Sequence, residues 1–459
     1  MSRVLISAAH KSSGKTTISI GLCAALYQRG YQIQPYKKGP DYIDPLWLTK
    51  ATGRPCFNLD FNTQSIHEID DLWNRHLDDS DIRFIEGNKG LFDGVDPLGS
   101  DCNAALVKQL QVPVILVVDV QGVTRGIAPL LRGYQLFDDD INIIGVILNK
   151  VAGERHERKL RAALGEYTDV PVLGAVYRHP DLMIDERHLG LVPSNEYEYS
   201  ENKINALREH IERQVDIEQL IQYLDIKRLN RDVHTAIDLC EPELRIGIAQ
   251  DSAFGFYYQD DLQAFEKAGA ELVPVDLIHD AQLPELDGLF IGGGFPEMHM
   301  EQLSANQSMR DSIRGAVEQQ MPVYAECGGL MYLCRQIEWQ GDSLPMAGAL
   351  PADVVMHERP QGRGYVKLKE TPENIWLHES DRVIPAHEFH YSSLENIGDN
   401  VKFAYDVVRG QGITDGKDGL LYKNTLASYS HLRDTQSKHW VSEFTEFIKV
   451  CMNEEEYGY

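Results

Sequence analysis

Short runs of β-branched and apolar residues alternate with amphipathic stretches along this chain, and the alternation is most regular in the first 195 residues. The runs predict strands at residues 4–9, 32–37, 82–87, 112–120, 141–148 and 170–176. Uninterrupted runs such as VPVILVVDV suit strands buried on both faces of a parallel sheet. Between the first two strands, residues 16–28 have helical spacing, and Gly30 is placed to close that helix. Residues 1–195 are therefore predicted as one doubly wound α/β domain. From residue 196 to 243 charged residues, Asn and Gln replace the apolar runs, apart from a helical pattern around 204–223. This stretch is predicted as the connection between domains. A second α/β series opens with LRIGIAQD at Leu244, continues through ELVPVDL, LDGLFIGGG and MPVYAECGG, and is predicted to span residues 244–450.

A chain of 459 residues is too long for one comfortable core, which fits two large domains. Its formal net charge of −26 argues against a nucleic-acid partner, since phosphates reward basic patches. A small anionic substrate stays open, because a few lysines can reverse the field inside a cleft. No run of about twenty apolar residues occurs, so no membrane span is expected. The opening sequence MSRVLISAAHKSSGKTT lacks the charged-then-apolar pattern of a secretory signal. The cysteines (Cys23, Cys56, Cys102, Cys240, Cys327, Cys334 and Cys451) are scattered without a CxxC pair. They read as reduced thiols of a cytoplasmic protein.

Residues 9–16, AHKSSGKT, follow a strand and open a helix, the setting a phosphate-binding loop requires. In such a loop, backbone N–H groups of Ser13, Gly14, Thr16 and Thr17 face the phosphates of ATP, and Lys15 adds a cation. The Thr16 hydroxyl is placed to ligate Mg²⁺. Ala9 departs from the usual first glycine, and GKTT by itself is an ordinary helix start; the strand–loop–helix context favours the phosphate loop. Two later segments, KKGPDYIDP (37–45) and IEGNKGLFDG (85–94), put acids at the C-terminal ends of strands, where ligands bind in such sheets. Asp44 and Glu86 are the candidates for holding Mg²⁺ beside Thr16. Lys38, Asp41 and Lys89 are candidates for facing phosphate or a substrate carboxylate, with a surface role as the alternative for the lysines.

YAECGGLMYL (324–333) places Cys327 between an apolar strand and a helix start. A sharp strand-to-helix turn exposes a nucleophile and aims N–H groups at it. The N–H of Gly328, with Gly293 and Gly294 of FIGGGFPE one strand earlier, would form an oxyanion hole. Without those glycines a buried structural cysteine is the better reading. A thiol nucleophile needs a base; spacing leaves His431 in LASYSHLRD and the pair His387 and His390 in AHEFHYS equally open.

SGKTT (13–17), KKGPDYIDP, EGNKGLFDG, RHLGLVPSNE (187–196), GGGFPE, AECGGLMYL, EFHYS and ASYSHL together resemble the cobyrinate a,c-diamide synthase family over essentially the whole chain. The resemblance implies an N-terminal P-loop synthetase domain, similar to dethiobiotin synthetase, before a class I glutamine amidotransferase domain. It implies that Cys327 attacks glutamine, with His431 matching the family's catalytic histidine. ATP would phosphorylate a peripheral acetate of an anionic tetrapyrrole, and ammonia from glutamine would displace the phosphate. A homodimer is suggested by the resemblance alone.

The chain also departs from the family. Many class I glutaminases carry Glu two residues after the histidine; here Arg433 stands there, and the family typically lacks that Glu, so a Cys327–His431 dyad is expected. KSSGKTT replaces SGSGKTT, and EGNKGL replaces EGVMGL, which adds Lys89. The stretch VQGVTRGIAPL differs as well. These changes resemble a branch that amidates sirohaem, which leaves the ring open between a corrinoid, sirohaem and nickel-sirohydrochlorin. The competing reading is a regulatory P-loop ATPase with an inactive glutaminase tail; intact Cys327, His431 and glycine loop weigh against it.

Overall fold

The strands of the first half join one sheet of seven, all parallel, in the order β3-β2-β4-β1-β5-β6-β7. They are β1 (Ser2–Ala8), β2 (Ile33–Lys38), β3 (Phe57–Leu59), β4 (Ile82–Glu86), β5 (Val114–Asp119), β6 (Ile143–Val151) and β7 (Val172–Tyr177). The expected strands all appear, their ends shifted by up to three residues, and the short edge strand β3 is added. The computed structural model describes residues 2–187, 190–196, 200–228, 242–376, 382–399 and 401–457. It divides into two units, Met1–His234 and Thr235–Tyr459.

In the first unit β1 is central, flanked by β4 and β5, and β4 is flanked in turn by β2. The C-terminal ends of β1, β4 and β2 are therefore neighbours, and whatever follows them shares one edge of the sheet. Helix Lys15–Gln28 leaves β1 through Gly14 and ends as expected, with Gly30 at φ +82°. Helices Ser200–Gln214 and Ile217–Tyr223 correct the predicted connection: the first packs on helix Lys15–Gln28 and belongs to this unit. Its apolar residues Ile204, Leu207 and Ile211 are buried, so a polar sequence still carries one apolar stripe. Residues 229–241 of that stretch, including Cys240, lie outside the described residues, as do 188 and 189 of the RHLGLVPSNE motif.

The second unit has a nine-stranded mixed sheet. Five strands are parallel, in the order Ala270–Val275, Leu244–Ala249, Gly288–Ile291, Val323–Glu326 and Thr425–Ser428. Antiparallel strands Lys417–Tyr422, Lys402–Arg409, Gly362–Glu370 and Val383–His390 extend it. The predicted α/β series thus accounts for four of the five parallel strands, Thr425–Ser428 being the addition. Helix Trp440–Tyr457 covers one face, where Trp440 and Phe444 join Phe290, Tyr324 and Trp376 in an aromatic core. Among the described residues no helix is long and apolar enough to cross a membrane.

Candidate active sites

In the first unit the loop after β1 turns through Ser12 (φ +64°) and Gly14 (φ +83°) into its helix. Gly14 is the helix N-cap and no side chain caps it, so the helix N–H groups stay open to an anion. A side chain at Gly14 would meet Asn149 Nδ2 at 2.2 Å. Asn149 and Lys150, at the end of β6, clamp the loop from the other side: Asn149 Nδ2 donates to Ser13 O (2.8 Å) and Lys150 Nζ to Ser12 O (3.1 Å). The Ser13 hydroxyl donates to His10 O (2.7 Å), and that of Thr17 lies 3.5 Å from Leu182 O.

Three oxygen donors meet at Thr16. Its hydroxyl is 2.5 Å from Glu86 Oε1 and 3.2 Å from Asp44 Oδ2. The group that knits them is Lys37, which the sequence analysis passed over. Its Nζ is bonded to Asp44 and lies 3.1 Å from Glu86 Oε1 and 3.6 Å from Asp41 Oδ2. Register explains the choice of lysine. Lys37 on β2 lies opposite Glu86 on β4, so their side chains share a face, and Lys38 points the other way. Lys38 Nζ donates to Asp101 O (2.6 Å), bracing the loop after β4, and stands outside the cluster. Lys89, at φ +42°, is exposed and reaches the carbonyl of Gly94 in its own loop (3.4 Å). Asp41 sits at the cluster edge, with Oδ1 accepting the N–H groups of Ile43 (3.0 Å) and Asp44 (3.1 Å).

Burial dominates the electrostatics here. It pushes the Glu86 carboxyl up to about 7, against the pull of Lys37, and Asp41 up to about 6, with Asp44 adding to the push. Burial opposes ionisation of Asp44 too, but Lys37 outweighs it and holds Asp44 below the usual range. Burial likewise disfavours the Lys37 ammonium, yet Asp44, Glu86 and Asp41 together lift it well above its ordinary value. Lys15 is depressed by burial and by Lys37. Three carboxylates against two ammonium groups leave a negative excess, and among the described residues the buried Glu86 Oε2 has no hydrogen-bond partner. An all-oxygen, electron-rich set of this kind fits a hard divalent cation. A second set of possible ligands, His179, Asp181 and His210, is already satisfied internally: the Asp181 N–H donates to His179 Nδ1 (3.2 Å), and the Asp181 carboxylate lies 3.3 Å from His179 and 3.6 Å from His210.

In the second unit Cys327 stands at φ +48°, ψ −99°, between strand Val323–Glu326 and helix Gly328–Leu333. A non-glycine residue in that conformation is strained; it is held by the bond from Cys327 N to Ser428 O (2.7 Å). His431 follows the neighbouring strand Thr425–Ser428 and comes beside Cys327, whose Sγ lies 3.9 Å from Phe389 O. Its Nδ1 is 3.1 Å from Glu326 Oε2. Burial alone would depress the imidazole, but the pull of Cys327 and Glu326 together outweighs it and holds His431 up at about 10.

The glycines fit tightly around this pair. A Cβ at Gly293 would lie 2.8 Å from His431 Cε1, and one at Gly328 would lie 2.9 Å from both N and O of Gly294. Gly293 and Gly294 also pair with Phe256 and Phe254 in a two-stranded ribbon. The Tyr257 hydroxyl anchors the loop start, accepting Gly292 N–H (3.1 Å) and donating to Ala249 O (2.6 Å). Asp418, buried, accepts the N–H groups of Tyr429 and Ser430 (3.0 Å each) and so fixes the approach to His431.

The other histidines are placed differently. His387 stacks on His431 at 4.8 Å, and its backbone bridges that of His431. Burial, then the charges of His431 and Arg433, hold its imidazole well below the ordinary value, so it is neutral. His390 stacks on Tyr429 at 3.8 Å and bonds through Nδ1 to Ser392 O (2.8 Å). The site residue that sequence reasoning missed here is Glu326; its position beside Cys327 was the available signal.

Residues 5–192 match the CobQ/CobB/MinD/ParA nucleotide binding domain, and residues 245–438 match the CobB/CobQ-like glutamine amidotransferase domain. The chain is 43% identical to the cobyrinate a,c-diamide synthase of Magnetococcus marinus, over 97% of both chains. It is 40% identical to that of Methanosarcina acetivorans, over 97% of this chain and 95% of the relative. To that of Archaeoglobus fulgidus it is 39% identical, over 98% of this chain and 97% of the relative.

Proposed function

The chain belongs to the cobyrinate a,c-diamide synthase family, and from that premise we propose that it amidates peripheral acetate carboxylates of a tetrapyrrole by way of an acyl phosphate. It is an ATP-dependent amidotransferase that takes nitrogen from glutamine. The observation that carries the reading is the strained Cys327 with His431 beside it under the glycine loop, and His431 held by Glu326. The substrate class is supported by the names of the relatives, with cobyrinate first and sirohaem or nickel-sirohydrochlorin as the other rings bearing acetates.

A carboxylate is a poor electrophile, and phosphorylation gives it a leaving group. Lys15 and the uncapped N–H groups of its helix would hold the phosphates of ATP in line with the substrate carboxylate. Thr16, Asp44 and Glu86 would hold Mg²⁺, which when bound neutralises charge on the transferring phosphoryl group. Lys37 keeps those carboxylates together and reserves their orientation. In the other unit Cys327 adds to the glutamine carboxamide while His431 manages the thiol proton and passes it to departing ammonia. Water hydrolyses the thioester to glutamate. Ammonia then attacks the acyl phosphate and expels phosphate, leaving the amide.

The test separates the halves. Cys327→Ala is expected to abolish glutamine-dependent amidation and leave ammonia-dependent amidation within about twofold; Lys15→Ala is expected to abolish both. Survival of glutamine-dependent turnover in Cys327→Ala overturns the glutaminase assignment, and full ammonia-dependent turnover in Lys15→Ala overturns the phosphate loop. Mass spectrometry of cobyrinate and of sirohaem after incubation, counting the OH-to-NH₂ exchanges, identifies the ring.

A further inference from the structure

Glu326 precedes Cys327 in the chain, yet its side chain serves His431. Oε2 lies 3.1 Å from His431 Nδ1, and both side chains are about 5% exposed or less. Oε1 accepts the Tyr324 hydroxyl (2.6 Å) and the Leu432 N–H (2.9 Å). The carboxylate is thus fixed by a group from its own strand and by the backbone next to the histidine it meets. Two residues beyond His431, Arg433 is committed elsewhere: Nε and Nη2 both donate to Asp260 Oδ2 (3.0 and 2.8 Å), and the guanidinium lies 4.7 Å over the Tyr258 ring.

We propose that Glu326 is the positioning carboxylate of a Cys327–His431–Glu326 triad, supplied from the nucleophile's own strand instead of from beyond the histidine. This rests on the glutaminase reading above. Strand geometry makes the arrangement available. Glu326 and Ser428 are partners in parallel register, so chain leaving Ser428 passes over the end of strand Val323–Glu326 and delivers His431 to both Cys327 and Glu326. A carboxylate bonded to Nδ1–H leaves Nε2 for the sulfur, selects that tautomer and stabilises the imidazolium formed when the thiol gives up its proton. The other groups around His431 do not offer this. His387 stacks on it as a neutral ring whose Nδ1 meets the Tyr258 hydroxyl (3.3 Å). Asp260 is bound to Arg433, while Asp261 accepts Asp434 N–H and Trp440 Nε1–H.

The experiment uses the full chain with glutamine and with ammonium as alternative nitrogen donors. Glu326→Gln is expected to lower glutaminase kcat on the order of 10²–10⁴-fold, with KM for glutamine moved far less and ammonia-dependent amidation within about twofold of the parent. The rate of Cys327 alkylation by iodoacetamide is followed against pH in parent and variant. Loss of the carboxylate shifts the alkaline limb set by His431 to lower pH, and Glu326→Asp recovers part of the shift. Glutaminase kcat within about threefold of the parent, or an unmoved alkaline limb, overturns the proposal. Should Glu326→Gln fail to fold, Tyr324→Phe, which frees the carboxylate from one of its two anchors, carries the same readouts. Cys327→Ala run alongside keeps the two claims apart: if glutamine-dependent turnover survives there, the glutaminase reading fails whatever Glu326 does.

Discussion

Lys37 and Lys38 differ by one position and by everything around them. Strand alternation sends Lys37 into three carboxylates and Lys38 to the carbonyl of Asp101. The sequence places acids and lysines at the ends of strands, and that much was legible; which lysine meets the acids depends on β2 lying beside β4, a pairing no local pattern encodes. The same limit applies to Glu326, where the acid is visible beside Cys327 but its partner arrives from a distant strand. Lys37→Met tests the role of the buried cation. Removing one partner of a buried ionic cluster costs about 3–5 kcal/mol. Glu86 and Asp41, left behind, have folded-state values raised further above their unfolded ones, and Asp44 loses the cation that held it low, so the folded state takes up protons and loses stability as pH rises through those values. Urea unfolding is expected to show the largest deficit near about pH 8 and a smaller one near about pH 5, since Glu86 and Asp41 are already pushed to about 7 and about 6 with the lysine present.

At the scale of elements, the parallel strands of the first unit and the helix Lys15–Gln28 were readable because each is a local apolar run, the helix being buried without a break from Ile18 to Leu26 and opened by the loop that precedes it. The antiparallel strands of the second unit were not. Gly362–Glu370 buries Val366, Leu368 and Glu370 and exposes the residues between them, so its pattern is mixed. Their neighbour Thr425–Ser428 finds its parallel partner about a hundred residues back. That long-range pairing is also what puts His431 against Glu326, a placement spacing could not give. Helix Ser200–Gln214 was seen but assigned to a connection, because its surface is polar and only one stripe is buried. Its packing on helix Lys15–Gln28 is close at Gly21, where a Cβ would meet Ile211 Cγ1 at 2.4 Å and Leu207 O at 3.1 Å. Gly→Ala inside an exposed helix stabilises by about 1 kcal/mol. Here overpacking reverses the sign, and Gly21→Ala is expected to destabilise by about 1–3 kcal/mol in thermal or urea unfolding; a gain in stability would show that the two helices are not in close contact.

For the molecule as a whole, the formal charge of −26 sets a long-range field that both units share. The two substrates proposed above respond to it differently. Glutamine is zwitterionic and carries no net charge to repel, whereas a tetrapyrrole bearing several acetates and propionates meets an acidic surface before it reaches any local lysine. Exposed charges interact over a Debye length of about 10 Å at 0.1 M salt and about 30 Å at 0.01 M. Repulsion at that range slows association, and screening relieves it. kcat/KM for the tetrapyrrole, with ammonium as nitrogen donor at fixed concentration, is therefore expected to rise severalfold between about 0.01 M and about 0.15 M salt. kcat/KM for glutamine in the hydrolysis half-reaction is expected to stay nearly flat over the same range. A tetrapyrrole value that falls with salt would mean that a basic cleft dominates the approach, and Lys89, exposed in the loop after β4, is then the first residue to replace.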